Sequence, residues 1–188
     1  MNQLLVITGL GDKVGSLESL TQKWPERFSL QPTVHAFGWD GPESSYEEKQ
    51  NTLLNKVDEL AKLGNLAVLG VSAGGHKAES LLAERPELIQ CVVNVCGRGQ
   101  VGNWRGHIER SPVFRHSLEV LEGQRFDASK LMTFRPLFDE LVPGWTVPVE
   151  GATNIQLRTI GHMPSIVWAL TGRAQTIADF VHERTGEE

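Results

Sequence analysis

The sequence is poor in cysteine, in basic charge and in long hydrophobic runs. Two cysteines among 188 residues argue against a disulfide-stapled scaffold. Acidic residues outnumber basic ones by 23 to 18, giving a net charge of −5, whereas nucleic-acid-binding proteins usually carry a basic surplus. No apolar run approaches the roughly 20 residues of a membrane-spanning helix. We therefore expect neither a nucleic-acid partner nor a membrane partner.

The two cysteines, Cys91 and Cys96, lie in one apolar run. In a strand, this spacing separates their Cα atoms by about 16 Å, well beyond the ~7 Å limit for a disulfide. We expect free, buried thiols, which are typical of a reducing compartment. The N-terminus has no basic segment before its short apolar run at 4–7, so it is unlike a signal peptide. Together these features predict a cytoplasmic protein.

Length and composition predict one globular domain over residues 1–188, because hydrophobic residues make up 40% and charged residues 22%. Short apolar runs alternate along the chain with longer amphipathic segments. The runs cover 4–8, 33–37, 66–71, 89–96, 131–137 and 155–160. Most of them lack polar alternation, as is typical of parallel strands that are covered on both faces.

Three amphipathic segments predict helices, at about 44–63, from Ser72 to just before Pro86, and at about 165–183. Strands that alternate with helices predict an α/β fold, a three-layer α/β/α sandwich around a mostly parallel six-stranded sheet. Pro32 cannot donate to a strand ladder, so we expect the second strand at an edge.

A glycine-rich turn follows the third predicted strand. Residues 70–74 read Gly-Val-Ser-Ala-Gly and match the pattern Gly-x-Ser-x-Gly. Small residues two positions before and after the serine allow a strand and a helix to pass closely, as a nucleophile elbow requires. We predict that Ser72 is a nucleophile and that the Ala73 N–H, at the start of a helix, is an oxyanion donor. The alternative is an ordinary glycine turn with a capping serine.

A serine nucleophile needs a base, and His162 is the best placed histidine because it follows the last strand. His76 lies in the helix after Ser72, which would carry it away from the hydroxyl. We expect solvated, structural or substrate-contacting roles for the remaining histidines, His35, His107, His116 and His182.

The base in turn needs a carboxylate that fixes its tautomer. Asp139 is the candidate, because it is expected to end the fifth strand in a proline-containing loop. Glu140 is the main rival, and Asp12 and Asp40 also follow strands. Asp139 lies between Ser72 and His162 in the chain, the order found in α/β-hydrolases.

Four segments together resemble the α/β-hydrolase superfamily over nearly the whole chain. They are 9–11, similar to its oxyanion turn, 70–74, similar to its nucleophile elbow, 138–143, similar to its acid loop, and 161–164, similar to its histidine loop. The resemblance implies a minimal α/β-hydrolase fold with strand order 2-1-3-4-5-6. It also implies that the Leu10 N–H is the second oxyanion donor beside Ala73. No His, Asp or Glu cluster has metal-ligand spacing, so we expect no metal and no cofactor.

A lid-like excursion is expected at about 97–129, and its roughly 34 residues are too few for a large cap. We therefore expect a shallow site that takes small soluble substrates. The candidate substrate-binding residues are Trp39, Arg98, Trp104 and Met163. Arg98 and the nearby Arg105 also lead to the hypothesis that an anionic or strongly polar group is favoured. The alternative for these arginines is a solvated helix face.

These motifs predict a serine hydrolase that cleaves a carboxylic ester or thioester of a small soluble molecule through an acyl-enzyme. Two alternatives stay open. One is a hydrolase-fold protein that binds a ligand without catalysis, since fold does not fix function. The other is a cofactor-free perhydrolase that uses the same three residues. The composition leaves the oligomeric state open.

Overall fold

The computed structural model describes residues 1–98 and 111–186. Its centre is a six-stranded sheet in which all neighbouring strands are parallel. The strands are β1 (Asn2–Ile7), β2 (Leu30–His35), β3 (Leu66–Val71), β4 (Ile89–Val95), β5 (Leu131–Arg135) and β6 (Thr153–Gln156). Their order is β2-β1-β3-β4-β5-β6, which confirms the predicted topology.

Helices cover both faces of this sheet. They are α1 (Val14–Thr21), α2 (Trp24–Phe28), α3 (Tyr46–Ala61), α4 (Ala73–Glu84), α5 (Pro112–Glu122), α6 (His162–Thr171) and α7 (Ala174–Thr185). Side chains of α1, α2, α6 and α7 pack into one hydrophobic cluster, and those of α3, α4 and α5 pack into the other. The three-layer α/β/α arrangement is therefore confirmed.

Burial on both faces explains the near-continuous apolar strands. Every residue of β1 and of β3 is buried. The edge strands differ: β6 is largely exposed, and β2 carries Pro32 at the opposite edge of the sheet, as predicted. Both cysteines are buried and free. Among the described residues, no helix is long and apolar enough to cross a membrane.

The C-terminal segment was expected to form one helix at 165–183, and this expectation is wrong. The chain forms α6 from His162 and α7 from Ala174, because the backbone turns between them. The N–H groups of Gly172 and Arg173 both donate to the carbonyl of Trp168, at 2.8 and 3.1 Å. A Cβ atom at position 172 would lie 2.8 Å from the Trp168 ring, so glycine lets this ring pack against the turn.

The last two strands are shorter than expected, and β6 also begins earlier in the chain. β5 ends at Arg135, and β6 ends at Gln156. Beyond them the two segments stay side by side: the Leu137 N–H donates to the Thr159 carbonyl at 2.9 Å, and residues 138 and 160 form an isolated bridge. The acid loop and the histidine loop therefore leave the sheet together.

Backbone segments approach each other closely where β3 meets α4. A Cβ atom at Gly70 would overlap the Gly74 carbonyl group and lie 2.7 Å from the Gly75 Cα. A Cβ atom at Gly74 would come within 2.7 Å of the Thr8 carbonyl oxygen. Backbone atoms cannot rotate away as side chains do, so no larger residue fits at either position.

We predict that Gly70→Ala lowers the free energy of unfolding by about 3 kcal/mol or more, because its methyl group meets backbone. Gly15→Ala in α1 is the matched control, since no atom lies within 4 Å of its added Cβ. That variant is expected to gain about 0.5–1 kcal/mol from helix propensity. Urea unfolding followed by circular dichroism measures both. Equal stability of the two variants would contradict the prediction.

Candidate active site

Ser72 is the single residue that connects β3 to α4. Its φ of 53° and ψ of −122° lie in a region that residues with a Cβ atom rarely adopt. The Ser72 N–H donates to the Val95 carbonyl, and the Ser72 carbonyl accepts from the Gly75 N–H, both at 2.9 Å. The turn is thus held from both sides, as a nucleophile elbow requires.

The structure brings Ser72, His162 and Asp139 together. His162 Nε2 lies 2.9 Å from Ser72 Oγ, and His162 Nδ1 lies 2.8 Å from Asp139 Oδ2. The side chains of His162 and Asp139 are only 2% and 1% exposed. Asp139 lies in the loop beyond β5 rather than at the strand end, because β5 already ends at Arg135.

The surroundings of Asp139 favour its ionised form. Burial acts to raise the pKa of this carboxyl, but the hydrogen bond from His162 and the N–H groups of Val142 and Leu141 outweigh it. The pKa is therefore below its ordinary value. Both N–H groups donate to Oδ1 at 2.8 Å. An ionised Asp139 accepts a proton-bearing Nδ1, which leaves Nε2 of His162 as the acceptor that faces Ser72.

Glu140, the rival acid in the sequence, contacts the backbone of the same histidine. Its Oε2 accepts the His162 N–H at 2.9 Å, at the first residue of α6. A carboxylate is favourable at a helix N-terminus because of the unpaired N–H groups there. Adjacent carboxylates thus hold His162 at its ring and at its backbone. The sequence contained both residues but no signal that distinguished these two contacts.

The turn that carries Leu10 packs directly against the elbow. A Cβ atom at Gly9 would lie 2.8 Å from the Ser72 Cβ, so the turn approaches as closely as glycine allows. Leu10 and Ala73 both line the same pocket as Ser72. Their backbone N–H groups are the two predicted oxyanion donors.

Asp12 ties this turn to the loop after β2, a role that the sequence did not indicate. Its Oδ1 accepts from the Thr8 hydroxyl at 2.6 Å and from the Gly38 N–H at 3.3 Å, and its Oδ2 accepts the Trp39 N–H at 2.9 Å. Asp12 thus has a structural role, and the carboxylate that contacts the His162 ring is that of Asp139.

Trp39 does not line the pocket, and the expectation that it contacts substrate is wrong. Its side chain is fully buried, and its Nε1–H donates to the Thr8 carbonyl at 2.9 Å. Its ring packs against Phe37, His76 and Phe114. The indole is drawn into the core because its large apolar ring is buried while its polar N–H still finds a partner.

The other predicted substrate-binding residues have different outcomes. Arg98 and Met163 line the pocket together with Ser72 and His162. Trp104 and Arg105 lie outside the described residues. Arg115, a further arginine in α5, does not line the pocket and forms an ion pair with Glu43 at 2.8 Å.

The pocket is large for a chain of this length, with a volume of about 740 Å³. The length of the chain predicted a shallow site, because little sequence remains for a lid. Much of the wall comes instead from α1 and α6, which belong to the core layers. A pocket of this size is in the ordinary range for small-molecule sites.

His76 is not positioned as a base for Ser72. It is fully buried, and its Nε2 lies 2.9 Å from the Ser117 hydroxyl oxygen. Burial, reinforced by Lys77 and Arg98, holds the pKa of His76 well below its ordinary value, so the ring is neutral. Among the described residues, no group of three or more His, Cys, Asp or Glu side chains could hold a metal ion.

Comparisons with known proteins identify the fold. No family model matches the sequence, and no curated protein matches it either. Solved structures do match over nearly the full length. Est1E from Butyrivibrio proteoclasticus is 12% identical with a TM-score of 0.68, covering 98% of this chain and 88% of its own. A monoacylglycerol lipase from Paleococcus ferrophilus is 14% identical with a TM-score of 0.63, covering 97% and 94%. Human thioesterase 2 is 13% identical with a TM-score of 0.60, covering 98% and 97%.

The chain has the α/β-hydrolase fold. The predicted resemblance to this superfamily is thereby confirmed at the level of the fold. At 12–14% identity, these similarities concern the arrangement of the backbone and leave the activity to be argued from the site.

A buried carboxyl supports the elbow of this hydrolase fold from below. Glu79 in α4 is fully buried, and its Oε1 accepts from Asn94 Nδ2 at 2.6 Å, while its Oε2 has no hydrogen-bond partner among the described residues. Asn94 Oδ1 accepts the Gly97 N–H at 2.8 Å. A Cβ atom at Gly97 would overlap the Ser72 carbonyl oxygen. Glu79 and Asn94 therefore hold the turn against which Ser72 packs.

Burial raises the pKa of Glu79 from 4.5 to about 8, although the hydrogen bond from Asn94 acts to lower it. At a pH between these two pKa values, Glu79 keeps its proton in the folded chain but has released it in the unfolded chain, so rising pH favours unfolding. We predict that, between pH 5 and pH 8, the free energy of unfolding of the wild type falls by more than about 2 kcal/mol relative to that of Glu79→Gln.

Urea unfolding of both proteins at pH 5, 6.5 and 8 measures this difference. Glutamine has the same shape as glutamate and keeps an acceptor for Asn94. The contributions of all other titrating groups to the pH dependence of stability therefore cancel when the two proteins are compared. A stability difference that stays constant across these pH values would show that Glu79 does not titrate in the predicted way.

Proposed function

We propose that the protein is a serine hydrolase that cleaves a carboxylic ester or thioester. The observation that carries this proposal is the continuous series of contacts from Ser72 Oγ through the His162 ring to Asp139, at 2.9 and 2.8 Å, beside a pocket. A serine, an imidazole and a carboxylate in this geometry form an activated nucleophile.

In the proposed first step, Ser72 Oγ attacks the carbonyl carbon of the substrate, and His162 Nε2 takes the hydroxyl proton. Asp139 stabilises the imidazolium that forms. The N–H groups of Leu10 and Ala73 donate hydrogen bonds to the carbonyl oxygen as it becomes negatively charged. The position of Ala73 at the start of α4 adds the favourable end of the helix dipole.

In the second step, the tetrahedral intermediate collapses, and His162 returns the proton to the leaving alcohol or thiol. The acyl group is then bonded to Ser72. A water molecule attacks this acyl-enzyme while His162 again takes a proton, and the carboxylic acid leaves as Ser72 Oγ regains its hydrogen. The cycle consumes one water and needs no redox partner.

The comparisons support ester and thioester bonds as the substrate class. The solved structures that share the fold include proteins described as a monoacylglycerol lipase, as human thioesterase 2 and as the RedJ thioesterase of Streptomyces coelicolor. An ester and a thioester place the same electrophilic carbonyl before Ser72, so one site can serve both.

We predict that a fluorophosphonate forms an adduct with Ser72 in the folded protein, because only an activated serine reacts rapidly with this probe. Ser72→Ala is expected to abolish the adduct. Asp139→Asn is expected to slow labelling on the order of 10³-fold or more, since it disturbs the His162 tautomer. Mass spectrometry of the digested protein locates the adduct.

The matched control is Ser44→Ala, which removes an exposed serine outside the pocket and leaves labelling intact. A folded wild-type protein that forms no adduct would contradict hydrolase activity and favour a ligand-binding function for the same fold. An adduct on a different serine would contradict the assignment of Ser72.

Glu140 is proposed as a positioning residue for His162, through its hydrogen bond to the backbone N–H. We predict that Glu140→Ala lowers kcat about tenfold with little change in KM, because the imidazole shifts away from Ser72. Glu140→Gln is expected to retain most of kcat, since its amide oxygen can accept the same N–H.

Steady-state kinetics on a chromogenic ester measure both variants, and Glu150→Ala in an exposed loop is the control. Thermal unfolding separates a loss of stability from a loss of turnover. Wild-type kcat in Glu140→Ala would rule out the positioning role.

A further inference from the structure

The pocket beside Ser72 continues as a groove between α1 and α6. One helical stripe of α1, together with its N-cap residue, faces one stripe of α6. On each helix, the residues that line the groove are spaced at positions i, i+3, i+4 and i+7, which lie on one face of a helix. The α1 stripe is Lys13, Ser16, Leu17 and Leu20, and the α6 stripe is Met163, Ile166, Val167 and Leu170. The two helices therefore form the walls of one channel.

A second hollow of about 170 Å³ adjoins this channel, and its lining is more polar, with Lys23 and Arg27 among the residues. Ser19 and Leu20 line both the main pocket and the second hollow, so the two spaces meet at these residues. Trp24 and Leu170 line only the second hollow. Both helices begin at the main pocket and end beside the second hollow, and they consequently run in the same direction away from Ser72.

The channel is apolar where it leaves Ser72. Leu17 and Ile166 are buried on its floor. Leu10, Met163 and Val167 remain 38%, 56% and 42% exposed although they are apolar. Apolar side chains that stay exposed along one concave surface indicate an apolar ligand that covers them.

The charged residues of the main pocket lie at the start of α1 and in two loops, with Lys13 at the N-terminal end of the α1 stripe. Lys13, Asp40 and Arg98 line it from the start of α1 and from the loops that follow β2 and β4, at the carboxyl ends of the strands. Among the described residues that line the main pocket, those from Ser16 to Leu20 on α1 carry no charge, and neither do Ile166 and Val167 on α6. A polar leaving group suits the rim, and a hydrocarbon chain suits the channel.

We propose that the channel between α1 and α6 holds the acyl chain, and that the protein prefers esters or thioesters of medium-chain apolar acids. This inference rests on the proposed hydrolase function. The α1 stripe from Lys13 to Leu20 covers roughly 10 Å along the helix axis. An extended chain advances about 1.2 Å per bond, so the bonds from Ser72 Oγ to the end of an octanoyl chain span a similar length, about 10 Å. This proposal replaces the expectation of a small soluble substrate with one that carries an apolar medium-chain acyl group.

Alkyl fluorophosphonates of increasing chain length test the channel, because the alkyl group on phosphorus takes the place of the acyl chain. The rate constant of inactivation at Ser72 is expected to rise about two- to fourfold per added methylene from ethyl to octyl. Mass spectrometry confirms that the adduct is on Ser72 in each case. The intact full-length protein is used throughout.

Ser19→Trp blocks the channel where its two parts meet, from an exposed helix position that tolerates a large side chain. The ratio of octyl to ethyl inactivation rates is expected to fall at least tenfold in this variant. Glu18→Trp, on the neighbouring exposed position outside the channel, is the matched control and keeps the wild-type ratio. Thermal unfolding of both variants verifies that they are folded.

The outcomes separate the two proposals. No adduct with any reagent overturns the hydrolase function and the acyl channel together. Labelling of Ser72 at a rate independent of chain length overturns the acyl channel and leaves the hydrolase function standing. A chain-length preference that survives Ser19→Trp also overturns the channel, because the preference then arises elsewhere.

Discussion

The near-contact between β3 and α4 determines the geometry around Ser72. Because positions 70 and 74 have no side chains, strand and helix pass at backbone distance, and the one residue between them has positive φ. Such a conformation costs about 1–3 kcal/mol and persists only where neighbouring structure determines it fully. Here the neighbours are themselves backbone: the turns at Gly9 and Gly97 both pack against Ser72. The backbone at Ser72 is held tightly because three loops meet with little space between them.

Four acidic side chains support this centre, and their surroundings give each a separate task. Asp139 is held by three hydrogen-bond contacts and is ionised beside the imidazole. Glu140 accepts the backbone N–H of His162, and Asp12 fastens the Leu10 turn to the next loop. Glu79 is buried with one partner and keeps its proton near neutral pH. Residue type alone does not separate these roles, because solvation and hydrogen bonding decide the charge state.

Features that depend on local chemistry, or on the order of motifs along a known fold, could be predicted from the sequence, whereas several individual contacts between distant segments could not. The strand–helix crossing at Ser72 leaves no room for larger residues. The glycines that this requires could therefore be recognised directly in the sequence. Trp39 follows a strand as a pocket residue would, but its indole donates to Thr8, which is 31 residues away in the chain. Likewise, nothing local distinguishes Asp139 from Glu140, since the fold alone directs one to a ring nitrogen and the other to a backbone N–H.

Pro32 has a consequence for how the molecule behaves in concentrated solution. The carbonyls of Ser29 and His35 accept the N–H groups of Asn2 and Thr8. The backbone N–H and C=O groups of the odd-numbered residues of β2 therefore point toward β1, and the backbone groups of Pro32 point away from the sheet. The free edge of β2 therefore lacks an N–H donor at its middle outward position. A second strand that approached this edge would meet an interrupted ladder, which opposes edge-to-edge association and fibril growth. A residue that marks the end of the sheet thus also protects the protein against aggregation.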